Sequence, residues 1–562
     1  MRIDRGMAGV TLAALWRAAA WAPVALALGL WGAPAAAAAA TAGADPAAAC
    51  AALSGSVVAA GRIGLPTSGA RVTSAALVPA VTAGPKASPE FCRVLAQIAP
   101  VDPHGQPITV QLNLPSAWNG KAVQMGGGGL DGQLVTGEGA GPGANAQATP
   151  LGLGYATFGS DGGHSVAAPF DADGQAAAFM NDEVLANYGG DQLKKTHDLA
   201  LALIGARYGK APARTYFVGG SEGGNEALAV AQRWGEDYDG AVSYFPAAGG
   251  VPLVAAMGRD ARALAAPGAY PGPAKQALLH KAVLAACDSG DGAADGMVSN
   301  PGACRFDVAT LRCASGGDEG DGCLSDAQIA ALKVMDSDLR LTYPLASGQT
   351  GIAGFKVFRG VDLTAYISGL GAGPPGPGPV TQGEPIHYMF YNVFVRGFLM
   401  RDAKADPLAF DPENPGRWAA RMSTISTIIG SPRPDLSRFA GHGGKLILVH
   451  GNDDSLIPVG WSEAYYGDMV RTMGAARVDG FVRFYTVPGY GHGLGVFTAD
   501  WDSLAALDRW VETGAAPEQP VATDIGPVGR GRTRPLCRWP AWPRYSGAGD
   551  VNAAASFTCA KP

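Results

Sequence analysis

The sequence predicts an α/β protein: a mostly parallel sheet flanked by helices and interrupted by one large insertion. Three observations carry this. Between residues 91 and 246, short apolar, β-branched runs alternate with helical patterns, as in parallel sheets. The rhythm stops from about residue 247 to 435 and resumes at Lys445-Leu-Ile-Leu-Val-His450. Within the first stretch, the strand-like Thr215–Val218 runs through Gly219-Gly-Ser-Glu-Gly223 straight into the helical pattern Asn225–Gln232. Strand, glycine turn, helix is the context that makes Gly-x-Ser-x-Gly a nucleophile elbow. Without it, in a chain of 81 glycines, the pattern is an ordinary turn with an exposed serine.

In chain order, Arg2, Arg5 and Arg17 precede the apolar run Ala18–Trp31, and Ala35–Ala40 supplies small residues for cleavage. Residues 1–40 therefore read as a secretory signal peptide rather than a membrane anchor. Removing Arg2, Arg5, Arg17 and Asp4 takes the formal charge from −6 to −8. A chain this acidic has no broad basic surface, so nucleic acid is excluded as a partner class, and no later stretch is apolar enough for a membrane span. Residues 41–246 form the first part of the core. Phe91–Ala99 and Ile108–Leu114 read as antiparallel strands around Asp102-Pro-His-Gly. Lys121–Met125 is a strand that ends in Gly126–Gly129; the run lacks the Gly-Lys-Ser/Thr ending of a phosphate loop. Tyr155–Asp161 is the next strand, Gln192–Tyr208 a helix, and Gly240–Phe245 a strand after the elbow. Residues 247–435 read as an inserted lid with four of the cysteines and the run Gly371–Pro379. Residues 436–562 complete the core with strands at Lys445–His450 and Phe481–Val487, a helix at Trp501–Gly514 and a proline-rich tail.

An even number of cysteines in an exported chain points to disulfides. They fall into sequence-local pairs: Cys50/Cys92, Cys287/Cys304, Cys313/Cys323 and Cys537/Cys559.

Ser221 needs a base, and the base needs an orienting carboxylate. His492 is the candidate base, because Val487-Pro-Gly-Tyr-Gly-His-Gly-Leu494 is a glycine-rich loop just past the last strand, where α/β-hydrolase folds place that histidine. His450-Gly-Asn-Asp-Asp454 follows the preceding strand and offers Asp454 as the acid, with Asp453 as the neighbouring alternative and His450 as a competing base. The order serine, aspartate, histidine is the one this fold uses. The backbone N–H of Glu222 and one from the glycine run, Gly128, are the candidate oxyanion donors. A second cluster, Asp288-Ser-Gly-Asp291-Gly-Ala-Ala-Asp295-Gly, offers three carboxylates on a tight loop, with the carbonyls of Ala293 and Met297 within reach. That donor set suits calcium; the alternative is a solvated acidic turn. His387–Phe394, with Arg396 and Arg401, is the lid stretch that can supply aromatic walls or a carboxylate-binding cation; the alternative is an ordinary amphipathic lid helix.

The chain resembles the tannase/feruloyl esterase family, which includes mono(2-hydroxyethyl) terephthalate hydrolases. The resemblance rests on Pro115-Ser-Ala-Trp-Asn-Gly-Lys121, Gly154–His164, Gly219–Gly224, Asp237-Tyr-Asp-Gly240, Cys287–Gly296 and His450–Asp454, and covers residues 45–562. It implies an α/β-hydrolase fold with a large inserted lid domain, a structural calcium in that lid, and action on small esters of aromatic acids of the gallate, hydroxycinnamate or terephthalate type; with the signal peptide removed, the chain reads as a secreted or periplasmic serine esterase with no organic cofactor. The alternatives are a general carboxylesterase for aliphatic or oligomeric hydroxyacid esters and a catalytically silent binding protein of the same fold. One departure stands out: the family usually has a cysteine before the serine and another after the histidine, joined as a disulfide. Here those positions are Gly220 and Gly493. The triad reads as intact but unstapled, with lower stability of the site as the expected cost.

Overall fold

The computed structural model describes residues 45–82, 87–168, 170–365, 368–377, 380 and 383–562; the expected signal peptide lies outside these residues. The strands of the main sheet are β1 (Val57–Val58), β2 (Ala70–Val78), β3 (Phe91–Ile98), β4 (Ile108–Pro115), β5 (Lys121–Met125), β6 (Ala156–Ser160), β7 (Arg214–Gly220), β8 (Gly240–Tyr244), β9 (Lys445–Gly451) and β10 (Val482–Val487). They lie in the order β1-β2-β3-β4-β6-β5-β7-β8-β9-β10. β1 to β4 and the β4–β6 pair are antiparallel, whereas β6, β5, β7, β8, β9 and β10 run parallel. The fold is that of an α/β hydrolase.

The composition of the strands explains their depth. β8, β9 and β10 are apolar on both faces and buried almost throughout, as parallel strands covered on both sides must be. β2 is a half-exposed edge element with small and polar residues, and the sequence reading missed it for lack of apolar periodicity. Helix α1 (Gln192–Tyr208) precedes β7, and α2 (Glu222–Arg233) follows it. Among the described residues, the chain between Tyr244 and Lys445 adds no strand to the main sheet. It forms α3 (Val251–Ala265), α4 (Pro273–Cys287), α5 (Asp326–Asp336) and α6 (Ile386–Val393), with α3 packed on α5 and α6. Beyond β9 come α7 (Val459–Met473) and, after β10, α8 (Ser503–Thr513), capped by the Asp502 side chain.

Four disulfides link Cys50–Cys92, Cys287–Cys304, Cys313–Cys323 and Cys537–Cys559, and no cysteine is free. No described helix is long and apolar enough to cross a membrane.

Candidate active site

Ser221 sits between the last residue of β7 and the first of α2 at φ 61°, a left-handed conformation that strains any residue with a Cβ. The surrounding backbone holds it there: its N–H donates to the Tyr244 carbonyl, and its own carbonyl accepts from Asn225 and Ala247. Strand and helix approach so closely that a Cβ on Gly219 would lie 2.2 Å from the Gly223 carbonyl oxygen. Only glycine fits that position.

The structure brings Ser221, His492 and Asp454 together from three loops. His492 Nε2 lies 2.8 Å from Ser221 Oγ, and its Nδ1 lies 2.9 Å from Asp454 Oδ2. Asp454 is fully buried, and its Oδ1 accepts the N–H groups of Leu456 and Ile457. Burial opposes its charge, but His492 and His450, by charge and hydrogen bond, hold its pKa below the ordinary carboxylate value. His450 is buried behind the acid, 3.4 Å from Asp454 Oδ2, with Nδ1 on Ser462 Oγ; Ser221 faces His492 instead. Asp453 points elsewhere: burial and then Asp362 push its pKa well above the usual value.

The glycine run after β5 packs against the start of α2. Gly127 N–H donates to Glu226 Oε2 at 2.9 Å, and Gly223 N–H to the Gly127 carbonyl. A Cβ on Gly127 would lie 2.3 Å from Asp131 Oδ1. Gly129 and Glu222 line the same pocket as Ser221, with Gly128 adjoining Gly129. The Glu222 N–H is the first of α2, where a helix has no internal partner for it.

Sequence reasoning missed what lies beneath: three buried carboxyl groups, Asp131, Glu222 and Glu226, with no ion pair among the described residues. Gln192 Nε2 donates to Glu226 Oε1, Asn225 Nδ2 to Glu222 Oε1 and Tyr188 Oη to Glu222 Oε2, while Asp131 Oδ1 has no partner. Burial pushes Asp131 up to about 7 and Glu222 up to about 8, and Glu226 well above its usual value. The only sequence signal was the i, i+4 pair Glu222/Glu226 on a small-residue helix. Each group keeps its proton in the folded chain at a pH where the unfolded chain has lost it. Stability is therefore full below the unfolded carboxylate range and falls as pH rises toward each folded pKa, at about 1.4 kcal/mol per pH unit and group. The melting temperature is expected to fall between about pH 5 and about 8, and Glu222→Gln to flatten that fall. Equal slopes in the two proteins, measured by calorimetry, would count against a neutral Glu222.

Around Ser221 the pocket wall is apolar: Leu130, Leu253, Met257, Phe390, Ile429 and Leu456. The cavity is narrow, about 60 Å³. Phe390 comes from the aromatic lid stretch. Arg396 and Arg401 do not line it: Arg396 is engaged by Asp173 and the Ala403 carbonyl, Arg401 by Asp182. A larger cavity, about 460 Å³, opens between Asp338–Arg340 and Trp461–Asp468, away from the serine.

The model of the family described as tannase and feruloyl esterase matches residues 92–560. The chain belongs to that family. It is 41% identical over 526 residues to an uncharacterised esterase of Agrobacterium fabrum, covering 91% of this chain and 92% of that one. It is 31% identical over 545 residues to the mono(2-hydroxyethyl) terephthalate hydrolase of Piscinibacter sakaiensis, covering 86% of each. The crystal structure of feruloyl esterase B from Aspergillus oryzae superposes with a TM-score of 0.74 at 23% identity, covering 92% of this chain and all of that one. This tannase and feruloyl esterase family member is a carboxylic ester hydrolase.

For this family member, the expectation of an unstapled, weakened site is corrected in part. The chain carries four disulfides, and although none involves position 220 or 493, the space between those positions is filled. A Cβ on Gly220 would lie 3.0 Å from Phe245 Cε2, and one on Gly493 would lie 3.7 Å from Phe245 Cζ. The ring also packs on His492, centroids 4.6 Å apart. Phe245 sits just past β8 at φ 31°, its N–H donating to the Val449 carbonyl. One aromatic ring spans the nucleophile and base loops. Phe245→Ala is expected to lower kcat about tenfold and to reduce the melting temperature, through the cavity left beside His492. A kcat within twofold of the parent would show that the ring does not hold the histidine.

The family resemblance also placed a calcium on the Asp288–Asp295 loop. Asp288 accepts the N–H groups of Asp295, Gly296 and Met297, and Asp291 Oδ1 that of Ala293. Arg534 donates to Asp295 Oδ2. Asp291 Oδ2 and Asp295 Oδ1 are buried without a partner. Burial raises the pKa of both, and neighbouring aspartates add to it. Two orphaned carboxylate oxygens fit a cation. Among the described residues, the one trio of ligand-type groups within 4.8 Å of one another is Cys313, Glu319 and Cys323, and its sulfurs are in a disulfide.

Proposed function

We propose that the chain is an exported serine esterase for esters of aromatic acids, with Ser221 as nucleophile, His492 as base and Asp454 as orienting acid. The observation that carries this is the unbroken relay Ser221–His492–Asp454 opening onto an apolar pocket. Ser221 Oγ donates its proton to His492 Nε2 and attacks the ester carbonyl carbon, while Asp454 Oδ2 accepts from Nδ1–H and stabilises the imidazolium. The carbonyl oxygen becomes an oxyanion that accepts from Glu222 N–H and from the Gly128–Gly129 segment, each donor being worth about 3 kcal/mol of barrier. His492 returns its proton to the leaving alcohol, leaving an acyl-serine. Water, deprotonated by the same histidine, attacks that acyl group, and Ser221 leaves with the proton. A planar aromatic acyl group suits a narrow cavity, with Met257 the most adaptable side chain in the wall.

The signal-like residues 1–40 and the four disulfides support export to an oxidising compartment. Calcium at Asp288, Asp291 and Asp295, completed by the carbonyls of Ala293 and Met297, would add charge neutralisation where two carboxylate oxygens lack partners. Treatment with a calcium chelator is expected to lower the melting temperature by several degrees and calcium to restore it; an unchanged transition would remove calcium from this account.

The defining experiment is hydrolysis of methyl gallate, methyl ferulate, mono(2-hydroxyethyl) terephthalate and p-nitrophenyl butyrate, with Ser221→Ala as blank. Serine-dependent cleavage of an aromatic ester well above the butyrate is expected. Cleavage of the butyrate alone would favour a general carboxylesterase, which the mostly apolar wall also accommodates. No cleavage, with no labelling of Ser221 by a fluorophosphonate, would leave a binding protein.

A further inference from the structure

Among the described residues, none that lines the Ser221 pocket is a cation. Apart from Ser221 itself, the polar side chains in its wall are Tyr188 and Glu222. The two lid arginines are held elsewhere by Asp173 and Asp182. Arg233 and Arg433 line a neighbouring cavity that shares only the Gly430 turn with this pocket, and Arg233 donates there to the Ile428 carbonyl, 3.9 Å from Asp191. Behind the Tyr188–Glu222 wall lie carboxyl groups. Glu222 belongs to the buried cluster with Asp131 and Glu226, none of which offers a positive charge.

We infer that this pocket selects an uncharged aromatic acyl group and rejects one bearing a carboxylate, with the Tyr188 hydroxyl and the Glu222 carboxyl as the pair that meets a ring hydroxyl. The inference rests on the serine-esterase reading above and narrows its substrate class. A para-carboxylate entering here leaves water for apolar walls and finds no guanidinium or ammonium among the lining residues. A buried charge without a partner costs several kcal/mol. A phenolic hydroxyl meets a different surface. Asn225 Nδ2 fixes Glu222 Oε1 at 2.6 Å, and Tyr188 Oη lies 3.2 Å from Oε2, so both oxygens are oriented. Burial keeps Glu222 protonated at neutral pH. A neutral carboxyl facing a hydroxyl can donate to Tyr188 and free the tyrosine hydrogen for the ligand. The hydroxyl group of a hydroxycinnamate or hydroxybenzoate then keeps a partner when it leaves water, whereas a terephthalate monoester loses the hydration of its charge.

Two matched comparisons test this. Monomethyl and dimethyl terephthalate carry the same reacting ester and differ in whether the para group is a carboxylate or its methyl ester. Near neutral pH, kcat/KM for the diester is expected to exceed that for the monoester by at least ~100-fold, far beyond the twofold statistical advantage. A ratio within about threefold overturns the charge selection. In the second comparison, Tyr188→Phe is expected to raise the ratio of KM for methyl 4-hydroxycinnamate to KM for methyl cinnamate about tenfold. An equal change for both esters overturns the hydroxyl recognition and marks Tyr188 as a packing residue. The two failures are separable from failure of the esterase reading. If neither the esters nor a fluorophosphonate react with Ser221, that reading falls first and this one with it. If the esters are cleaved without regard to charge, only this one falls.

Discussion

Asp454→Asn is expected to lower kcat about 10⁴-fold while leaving the fold and KM close to those of the parent. The carboxylate has two separate tasks. Oδ1 accepts the N–H groups of Leu456 and Ile457, and Oδ2 faces His492 Nδ1, with His450 Nε2 at 3.4 Å. An asparagine keeps the first task, because its oxygen can stay on the two backbone donors. Its NH₂ then stands where Oδ2 was and donates to His492 Nδ1. The histidine must carry its proton on Nε2, which faces Ser221 Oγ at 2.8 Å and can no longer take the serine proton. Steady-state kinetics on any cleaved ester, with a melting curve as control, checks this. A loss below about 100-fold with an unchanged melting curve would show that the imidazole keeps its tautomer without the acid.

Glu226→Ala is expected to lower kcat about 100-fold with little change in KM. The reason is the closeness of the glycine run to α2. Glu226 Oε2 holds the Gly127 N–H at 2.9 Å, and Oε1 holds Gln192 Nε2 at 2.6 Å. Truncation leaves the buried Gln192 amide and the part-buried Gly127 N–H without this partner, and the Gly127–Gly129 segment loses the side chain that fixes it beside Ser221. An oxyanion donor acts on charge that develops only in the transition state, so its displacement appears in kcat rather than KM. Glu226→Gln keeps an acceptor for Gly127 and is expected to retain most of the activity. A Glu226→Ala enzyme with kcat within threefold of the parent would mean that the loop is placed by its backbone contact with Gly223 alone.

Much of this site is legible in the chain. The elbow around Ser221 is read from adjacent residues because strand, glycine turn and helix are each short-range features, and the close approach at Gly219 excludes other residues. Asp454 and His492 are read from their places just beyond β9 and β10, although the choice between Asp453 and Asp454 needed the structure to show which carboxylate meets the imidazole. The four cysteine pairs are close enough in sequence to be grouped by eye. The half-exposed β2 was missed because its alternation is carried by Ala, Thr and Ser rather than by large apolar residues.

What the sequence by itself determined, then, is the class of fold, the order of its strands and helices and the three candidate residues, Ser221, Asp454 and His492, that the structure brings together. Tertiary structure decided the rest. The cluster of Asp131, Glu222 and Glu226 joins a loop after β5 to a helix after β7. The ring between Gly220 and Gly493 arrives from the end of β8. The pocket wall combines α3, α6 and the Ile429–Gly430 turn, and it leaves Arg396 and Arg401 outside. Local sequence encodes backbone conformation, because sterics and periodicity act over a few residues. Which side chains end up buried against one another, and so which carboxyl groups stay protonated, depends on segments brought together only when the sheet closes.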